Sequence, residues 1–425
     1  MISKIAVPVW VLGLLAFTIL VLLLIIWSVK RRRRPHLALE PTHLEDLHPS
    51  IAGLTQGTCV DGNSVELLQD GALWDRVFAD IAAARETINY ETFLCKEGEL
   101  TRRLAEALVA KAGEKDVQVR VLLDGSGGKK FGKKGLQEMK DAGVKVRKYH
   151  PMRLSNLGLI NNRDHRKIFV IDGRIAYVGG HCLTDNWLGE AQDKQHFRDI
   201  TARVEGPVVA QVQSAFAENW IEETGEVPGG TNFFPKLEPV GDMSAHVVWL
   251  SPSGSPSTLK LLHYMLIRMA TKNLTIQNPY FLPDPDARKA LLEAARRGVA
   301  VRIMIPADHA SDSPLVQHAS HHHYGTLLKG GVRLFDYNRT LLHQKVLVVD
   351  SHVSSIGSTN FDDRSFEIND EVSLVVYDER IARELEETFE RDLEHATEVN
   401  LEEWKRRPVL HKLRDFVSFA FNEQL

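Results

Sequence analysis

A chain of 425 residues that is 44% hydrophobic is long enough for about two to three domains with a sizeable buried core. Its three cysteines, Cys59, Cys95 and Cys182, are too few and too scattered for a disulfide framework or a paired-cysteine metal site, which points to a reducing compartment. Residues 1–34 carry six basic and no acidic side chains, leaving 46 Lys and Arg against 56 Asp and Glu in the rest. So acidic a body is a poor surface for nucleic acid, whose binding rests on phosphate neutralisation, and no nucleic-acid partner is expected.

The first element in chain order is Ile5–Val29, 25 residues without a charge. As a helix it is about 37 Å long, enough to cross a bilayer core with some tilt. Trp10 and Trp27 stand near its ends, where amphipathic aromatics favour the interface. Lys4 is the one charge before it, whereas Lys30 to Arg34 follow without a break, so the positive-inside rule puts the body on the cytoplasmic side. The length of the apolar run and the basic cluster directly after it argue against a cleaved signal peptide. Residues 1–34 are thus read as an anchor with a basic flank, and 35–60 as a linker.

From residue 61 strands and helices alternate. Ile88–Phe93, Val117–Gly125 and Val144–His150 read as strands with helical patterns between them, and a second half answers with Leu274–Phe281, Val299–Ala307 and Val332–Asn338. This alternation predicts an α/β sandwich with mostly parallel sheets. A further strand follows in each half, ITARVEG or EVSLVVYD, and then a helix beginning near Pro207 or Arg380. Prolines and glycines between 224 and 245 mark a linker, giving halves at 61–223 and 246–400 and a terminal segment at 401–425.

Each half carries one copy of a histidine-lysine-aspartate pattern: His165-x-Lys167-x4-Asp172 and His343-x-Lys345-x4-Asp350. In a strand, residues two apart share a face, so each histidine projects with its lysine. If the halves pack face to face, two imidazoles and two ammonium groups converge on one pocket. Such a pocket suits a phosphodiester and requires no metal: lysines hold the non-bridging oxygens, one imidazole attacks phosphorus and the other protonates the leaving alcohol. Asp172 and Asp350 complete the candidate catalytic set, yet their odd spacing from the histidines turns them to the opposite strand face, where each would tie down the following turn. Asp199 and Glu371, on matching downstream strands, are better placed to orient the histidines through a carboxylate hydrogen bond.

The paired motifs resemble those of the phospholipase D superfamily, and the strings NNRDHRKIFVIDG and LHQKVLVVD with IGSTNFDDRSFEINDEV are most similar to bacterial cardiolipin synthases. The resemblance spans roughly residues 60 to 425, and two complete motifs in order are a strong signal. It implies duplicated α/β halves with the active site at their interface, preceded here by one transmembrane helix. It also implies a covalent phosphatidyl-histidine, assigned to His165, with His343 as acid and then base. By the same resemblance Lys167, Lys345, Ser358 and Asn360 contact the phosphate. The implied reaction joins two phosphatidylglycerol molecules into cardiolipin and releases glycerol at the bacterial inner membrane. It needs no cofactor, takes anionic phospholipid and the membrane as partners, and leaves the oligomeric state open. A phospholipase D hydrolase, a membrane-tethered nuclease and a lipid-binding scaffold are the alternatives.

One position departs from the family pattern. Cys182 stands where asparagine is usual, against Asn360 in the second half, and Gly180 stands against Ser358. A thiol is a weak donor, so His181 or Thr184 would have to compensate. Three other features carry less weight. The loop with Lys129, Lys130, Lys133 and Lys134 could meet anionic headgroups. His318, His321 and His322 fall on one helix without an acidic partner at useful spacing, so no metal site is expected. The segment Arg406–Phe421 is amphipathic, suited either to lie on a bilayer or to pack on the body.

Overall fold

The computed structural model describes residues 8–29, 37, 48–114, 116–151, 161–252 and 257–419. The basic run 30–34, residues 35–36 and 38–47 of the linker expected at 35–60, and the last residues of the terminal segment lie outside them; the rest of that linker is not featureless but carries a short helix, His48–Leu54. The chain divides into two units, Met1–Ala38 and Leu39–Leu425. Helix α1 (Val9–Val29) is the element of the first, and its side chains are described as far as Leu22. Among the described residues no helix is long and apolar enough to cross a membrane.

The second unit opens with α2 (His48–Leu54). The first half then runs β1 (Val60–Gln69), α3 (Ala72–Ala83), β2 (Thr87–Thr92), α4 (Glu99–Ala112), β3 (Gln118–Asp124), α5 (Lys133–Asp141) and β4 (Lys145–Tyr149). It continues with β5 (Ile168–Ile171), β6 (Ile175–Gly179), β7 (Ile200–Glu205) and α6 (Val209–Thr224). The second half repeats this plan with β8 (Met243–Leu250), α7 (Thr258–Met269), β9 (Asn273–Gln277), α8 (Pro285–Arg296), β10 (Ala300–Pro306), α9 (Pro314–Lys329) and β11 (Arg333–Tyr337). There follow β12 (Val346–Val349), β13 (Val353–Gly357), α10 (Asp363–Glu367), β14 (Glu371–Tyr377) and α11 (Glu379–Leu393). A tail of β15 (Ala396–Glu398), α12 (Leu401–Lys405) and α13 (Val409–Phe419) closes the described chain.

Among the described residues the strands form one 15-stranded sheet. The order in the first half is β1-β7-β6-β5-β2-β3-β4, and in the second β8-β14-β13-β12-β9-β10-β11, the two joined where β1 pairs antiparallel with β8. The sheet is not mostly parallel as the alternation suggested. Among the described strands β2, β3 and β4 run parallel to one another, as do β9, β10 and β11; the other pairs are antiparallel. The reason is local. After each motif strand the chain reverses in a tight hairpin, through Asp172 at φ 53° and Gly173 at φ 60° in the first half and through Asp350 and Ser351 at φ 52° and 54° in the second. A hairpin of that length can only return antiparallel.

Burial holds the halves together as well as the sheet does. Ile168, Val170, Val178 and Val204 share one hydrophobic cluster with Val346, Val348, Ile356 and Leu374, all close to fully buried. Because β5 and β12 are buried on both faces, they read as continuous aliphatic runs rather than alternating ones. Helices are placed by ordinary end signals: Asp284 caps α8 with Pro285 at its first turn, and the Asp378 carboxylate accepts from Arg380 and Ile381 N–H at the start of α11.

Candidate active site

The motif histidines lie just before β5 and β12, in extended chain that pairs with the opposite half. His165 N–H donates to the Asp370 carbonyl (2.9 Å), and Asp370 N–H donates to Arg163 (2.8 Å). In the same way His343 N–H donates to Arg198 (2.7 Å), and Arg198 N–H to Leu341 (2.9 Å). Each histidine therefore lies beside the residue that leads the other half's last strand. The result is two crossed dyads: His165 Nδ1 meets Glu371 at 2.8 Å, and His343 Nδ1 meets Asp199 at 2.8 Å. A carboxylate at Nδ1 keeps the proton there and leaves Nε2 for chemistry.

The lysines follow their histidines. Lys167 Nζ donates to the His165 carbonyl at 2.6 Å, and Lys345 Nζ donates to the His343 carbonyl while lying 3.0 Å from the ring nitrogens. All four motif side chains are buried, with aromatic walls: Phe93 sits edge-on to His165 at 5.0 Å and Trp187 edge-on to His343 at 5.1 Å. Burial and the Lys345 charge push His343 down to about 4, and burial with Lys167 and Lys345 holds His165 well below the usual range. Burial likewise brings Lys345 down to about 7.

The two carboxylates differ. Burial raises Glu371 to about 7 despite Lys167 and the Ser358 hydroxyl. Burial also acts to raise Asp199, but His181 and His343 overcome it and hold Asp199 well below the usual carboxylate range. The dyads thus pair His343 with a carboxylate held in its charged form and His165 with one whose charged form burial disfavours.

The departure at Gly180 explains part of this difference. In the second half the Ser358 hydroxyl donates to Glu371, and Ser358 Oγ accepts from Val372 N–H, so Ser358 supports the carboxylate instead of facing the phosphate as expected. In the first half a Cβ at position 180 would stand 2.3 Å from Asp199 Oδ1, so glycine leaves the space that Asp199 occupies. The missing hydroxyl is replaced by Trp187, whose Nε1–H donates to Asp199 at 2.8 Å. Trp187 was missed in the sequence, where DNWLGE carries no periodic signal. Trp187→Phe is expected to lower kcat about tenfold, in keeping with a lost hydrogen bond to a charged group, with KM little changed; an unchanged kcat in steady-state assays would remove it from the site.

Neither residue expected to compensate for Cys182 is available to do so. His181 is bonded to Thr201 and the Asp70 carbonyl, and the Thr184 hydroxyl donates to Asn186. Cys182 is buried, its thiol pushed up by that burial, and its Sγ lies 3.8 Å from the Gly180 carbonyl oxygen. Asn360 is buried with Oδ1 unbonded.

The motif aspartates stand elsewhere. Asp172 accepts from the backbone N–H groups of Arg85, Glu86 and Thr87 at 2.7–3.1 Å. Asp350 does the same for Thr271, Lys272 and Asn273, and also accepts from the Thr271 hydroxyl. Each carboxylate fixes the loop leading into the neighbouring strand, β2 or β9, rather than the turn that follows it. Asp172→Ala is expected to lower stability by about 2 kcal/mol, measured by denaturant unfolding, because three amides lose a charged acceptor.

Two features outside the site also took shape. The lysine loop is partly ordered as a short 3-10 turn and the start of α5, with Phe131 buried between them. The histidines of α9 do have an acidic neighbour: Asp308 lies 3.4 Å from His321 and 4.0 Å from His318. Sequence spacing could not show this, since Asp308 comes from the loop after β10. The Arg414 guanidinium lies 3.8 Å from the same carboxylate and supplies positive charge there.

Two like halves that each bring a histidine and a lysine to a shared, buried interface define a duplicated phospholipase D-like protein. The family model described as cardiolipin synthase, phospholipase D-like domain, matches residues 77–220 and 264–393. The chain is 34% identical over 365 residues to the major cardiolipin synthase of Bacillus subtilis, covering 84% of this chain and 74% of that one. It is 36% identical over 357 residues to cardiolipin synthase A of Pseudomonas putida, with the same coverage. Its fold is similar to the phosphatidylserine synthase of Haemophilus influenzae, with a TM-score of 0.65 at 14% identity over 85% of this chain and 95% of that one. The chain belongs to the cardiolipin synthase family of the phospholipase D superfamily.

Proposed function

We propose that this protein is a membrane-anchored phosphatidyltransferase that makes cardiolipin from two phosphatidylglycerol molecules. His165 Nε2 attacks phosphorus of the first, the bond from phosphorus to the glycerol oxygen breaks, and His343 gives that oxygen a proton as glycerol leaves. The terminal hydroxyl of the second phosphatidylglycerol then attacks the phosphatidyl-histidine. His343 takes its proton, and the phosphorus–nitrogen bond breaks to free His165. Lys167 and Lys345 neutralise the charge on the non-bridging oxygens, and Asn360 donates to them.

The observation that supports this reading is the pair of crossed dyads, His165 Nδ1 2.8 Å from Glu371 and His343 Nδ1 2.8 Å from Asp199, and the unlike carboxylates suggest the order of roles. An acid must hold a second proton, and ionised Asp199 stabilises the His343 imidazolium. A nucleophile must present a neutral ring, and Glu371, whose charged form burial disfavours, stabilises imidazolium less at His165. The phosphodiester charge between the lysines then favours protonation of His343 when substrate binds.

In this reading the anchor is the uncharged run Ile5–Val29, and by the positive-inside rule the basic run Lys30–Arg34 after it faces the cytoplasm. Both lipids are confined to the interface, so tethering raises their effective concentration at the site. The test is to incubate detergent-solubilised protein with phosphatidylglycerol alone and resolve the products by mass spectrometry. Cardiolipin with free glycerol, absent in His165→Ala, is the expected result. Phosphatidic acid as the sole product would make the enzyme a hydrolase, and no turnover would reject phosphatidylglycerol as donor.

A further inference from the structure

We propose that α13 and the basic pocket beside it are a docking site for the surface of an anionic bilayer, separate from the histidine pocket and from the anchor. The helix is packed the wrong way round for an element that closes a core. Its buried residues are Asp415 and Ser418; Asp415 accepts from Arg407 at 2.8 Å, and Phe419 stacks on His322 of α9 at 4.3 Å. Its apolar residues point outward instead: Val409 is 79% exposed, Leu410 73%, Leu413 56%, Phe416 60% and Val417 50%. At about 100° per residue these positions fall within an arc of about 120°, with Lys412 at one edge and Arg414 at the other.

The pocket lies where this helix meets α9 and α12 and has a volume of about 340 Å³. Lys329, Lys405, Arg407 and Lys412 line it, and among the described residues of that lining Asp415 is the single acid. Arg407 is held flat on Trp404, 3.2 Å from the ring centre, and paired to Asp415. Lys405 pairs with Glu402, and Lys412 Nζ donates to the Lys405 carbonyl, which ties α13 to the end of α12. A lipid phosphate in this pocket meets lysines while its acyl chains meet the outward face of α13.

Charge decides between possible occupants. An apolar stripe edged by cations fits a surface that is apolar within and anionic at its rim. The same stripe in a second copy would bring like charges together along both edges. Docking would also reach the catalytic region, since Val316 and Ala319 of α9 pack with Leu282, two residues from Tyr280, whose carbonyl accepts from Phe361 N–H beside Asn360.

The test uses the full-length protein reconstituted in vesicles, with a nitroxide at Leu413→Cys in a Cys59→Ser background, Cys95 and Cys182 being buried. In vesicles of phosphatidylcholine mixed with phosphatidylglycerol, the label is expected to gain collisions with oxygen and lose them with a water-soluble nickel complex. In phosphatidylcholine alone it should stay in water. Combined Lys329→Glu, Lys405→Glu and Lys412→Glu should abolish the shift with an unchanged circular dichroism spectrum, and Lys412→Ala alone should weaken it. A label that stays in water with both lipids, insertion that ignores the lysines, or spin–spin broadening without oxygen access would each overturn the proposal, the last by showing a second copy on this face. The readout involves no turnover, so it stands apart from any failure to make cardiolipin.

Discussion

Asp199→Asn is expected to slow phosphatidyl transfer by roughly 10³- to 10⁴-fold while leaving the protein folded, the size of effect seen when a buried histidine loses its orienting carboxylate. The carboxamide keeps the shape of the side chain, so packing offers no reason for unfolding. What it removes is the fixed negative charge 2.8 Å from His343 Nδ1. An amide nitrogen turned toward Nδ1 would donate to it and drive the ring proton to Nε2, where the attacking hydroxyl must be received. The imidazolium also becomes harder to form, so the protonated acid needed to release glycerol is scarcer. Glu371→Gln is expected to be milder, about 10²-fold, because burial already disfavours the charge on Glu371. Initial rates of cardiolipin formation for the two variants check both the size and the order of the effects. Equal losses would remove the distinction between the two dyads and the assignment of nucleophile and acid with it.

The largest loss of stability is expected from Arg166→Met, about 3–5 kcal/mol near neutral pH, the range for leaving buried charges without their partner. Arg166 is fully buried at the join between the halves, donating to Glu218 at 2.7 Å, to the Ala215 and Leu250 carbonyls and to Ser251, with Asp370 at 3.7 Å. Burial raises Glu91 to about 7 and Asp370 to about 6 even with the guanidinium opposing it, and Asp164 is also raised. A carboxyl whose pKa is higher folded than unfolded contributes stability below its unfolded value and loses it as pH rises through the folded one. These groups therefore weaken the fold between about pH 4 and about pH 7, and without Arg166 they weaken it further. The destabilisation in Arg166→Met should be smaller at about pH 5 than at about pH 8, because the carboxyls then take up protons. Urea midpoints for the variant and its parent at both values decide this; a loss independent of pH would mean that Arg166 acts by packing alone.

The chemistry was more legible than the architecture that delivers it. Two copies of a histidine-lysine-aspartate pattern pointed to a shared pocket, and Asp199 and Glu371 stood out as carboxylates on matching strands. Sequence order could not show that each would serve the opposite half, because that crossing depends on backbone pairing of Asp164 with Asp370 and of Arg198 with Leu342. The joining strands were also hidden. VDGNSVELLQ is broken by Gly62 and an irregular register, and MSAHVVWL is buried through its middle, so neither alternates cleanly. The contrast between Gly180 and Ser358 was visible, but its consequence was not, since the compensating donor comes from Trp187 in a loop of no regular pattern.

The crossed arrangement bears on why two halves reside in one polypeptide. A half alone would hold its histidine without a carboxylate, and a symmetric pair of identical halves would hold the same carboxylate at both rings. Covalent union permits aspartate at one ring and glutamate at the other, glycine with tryptophan behind the first and serine behind the second. Unlike neighbours let chemically identical imidazoles divide the labour, a specialisation that no homodimer of either half could reach.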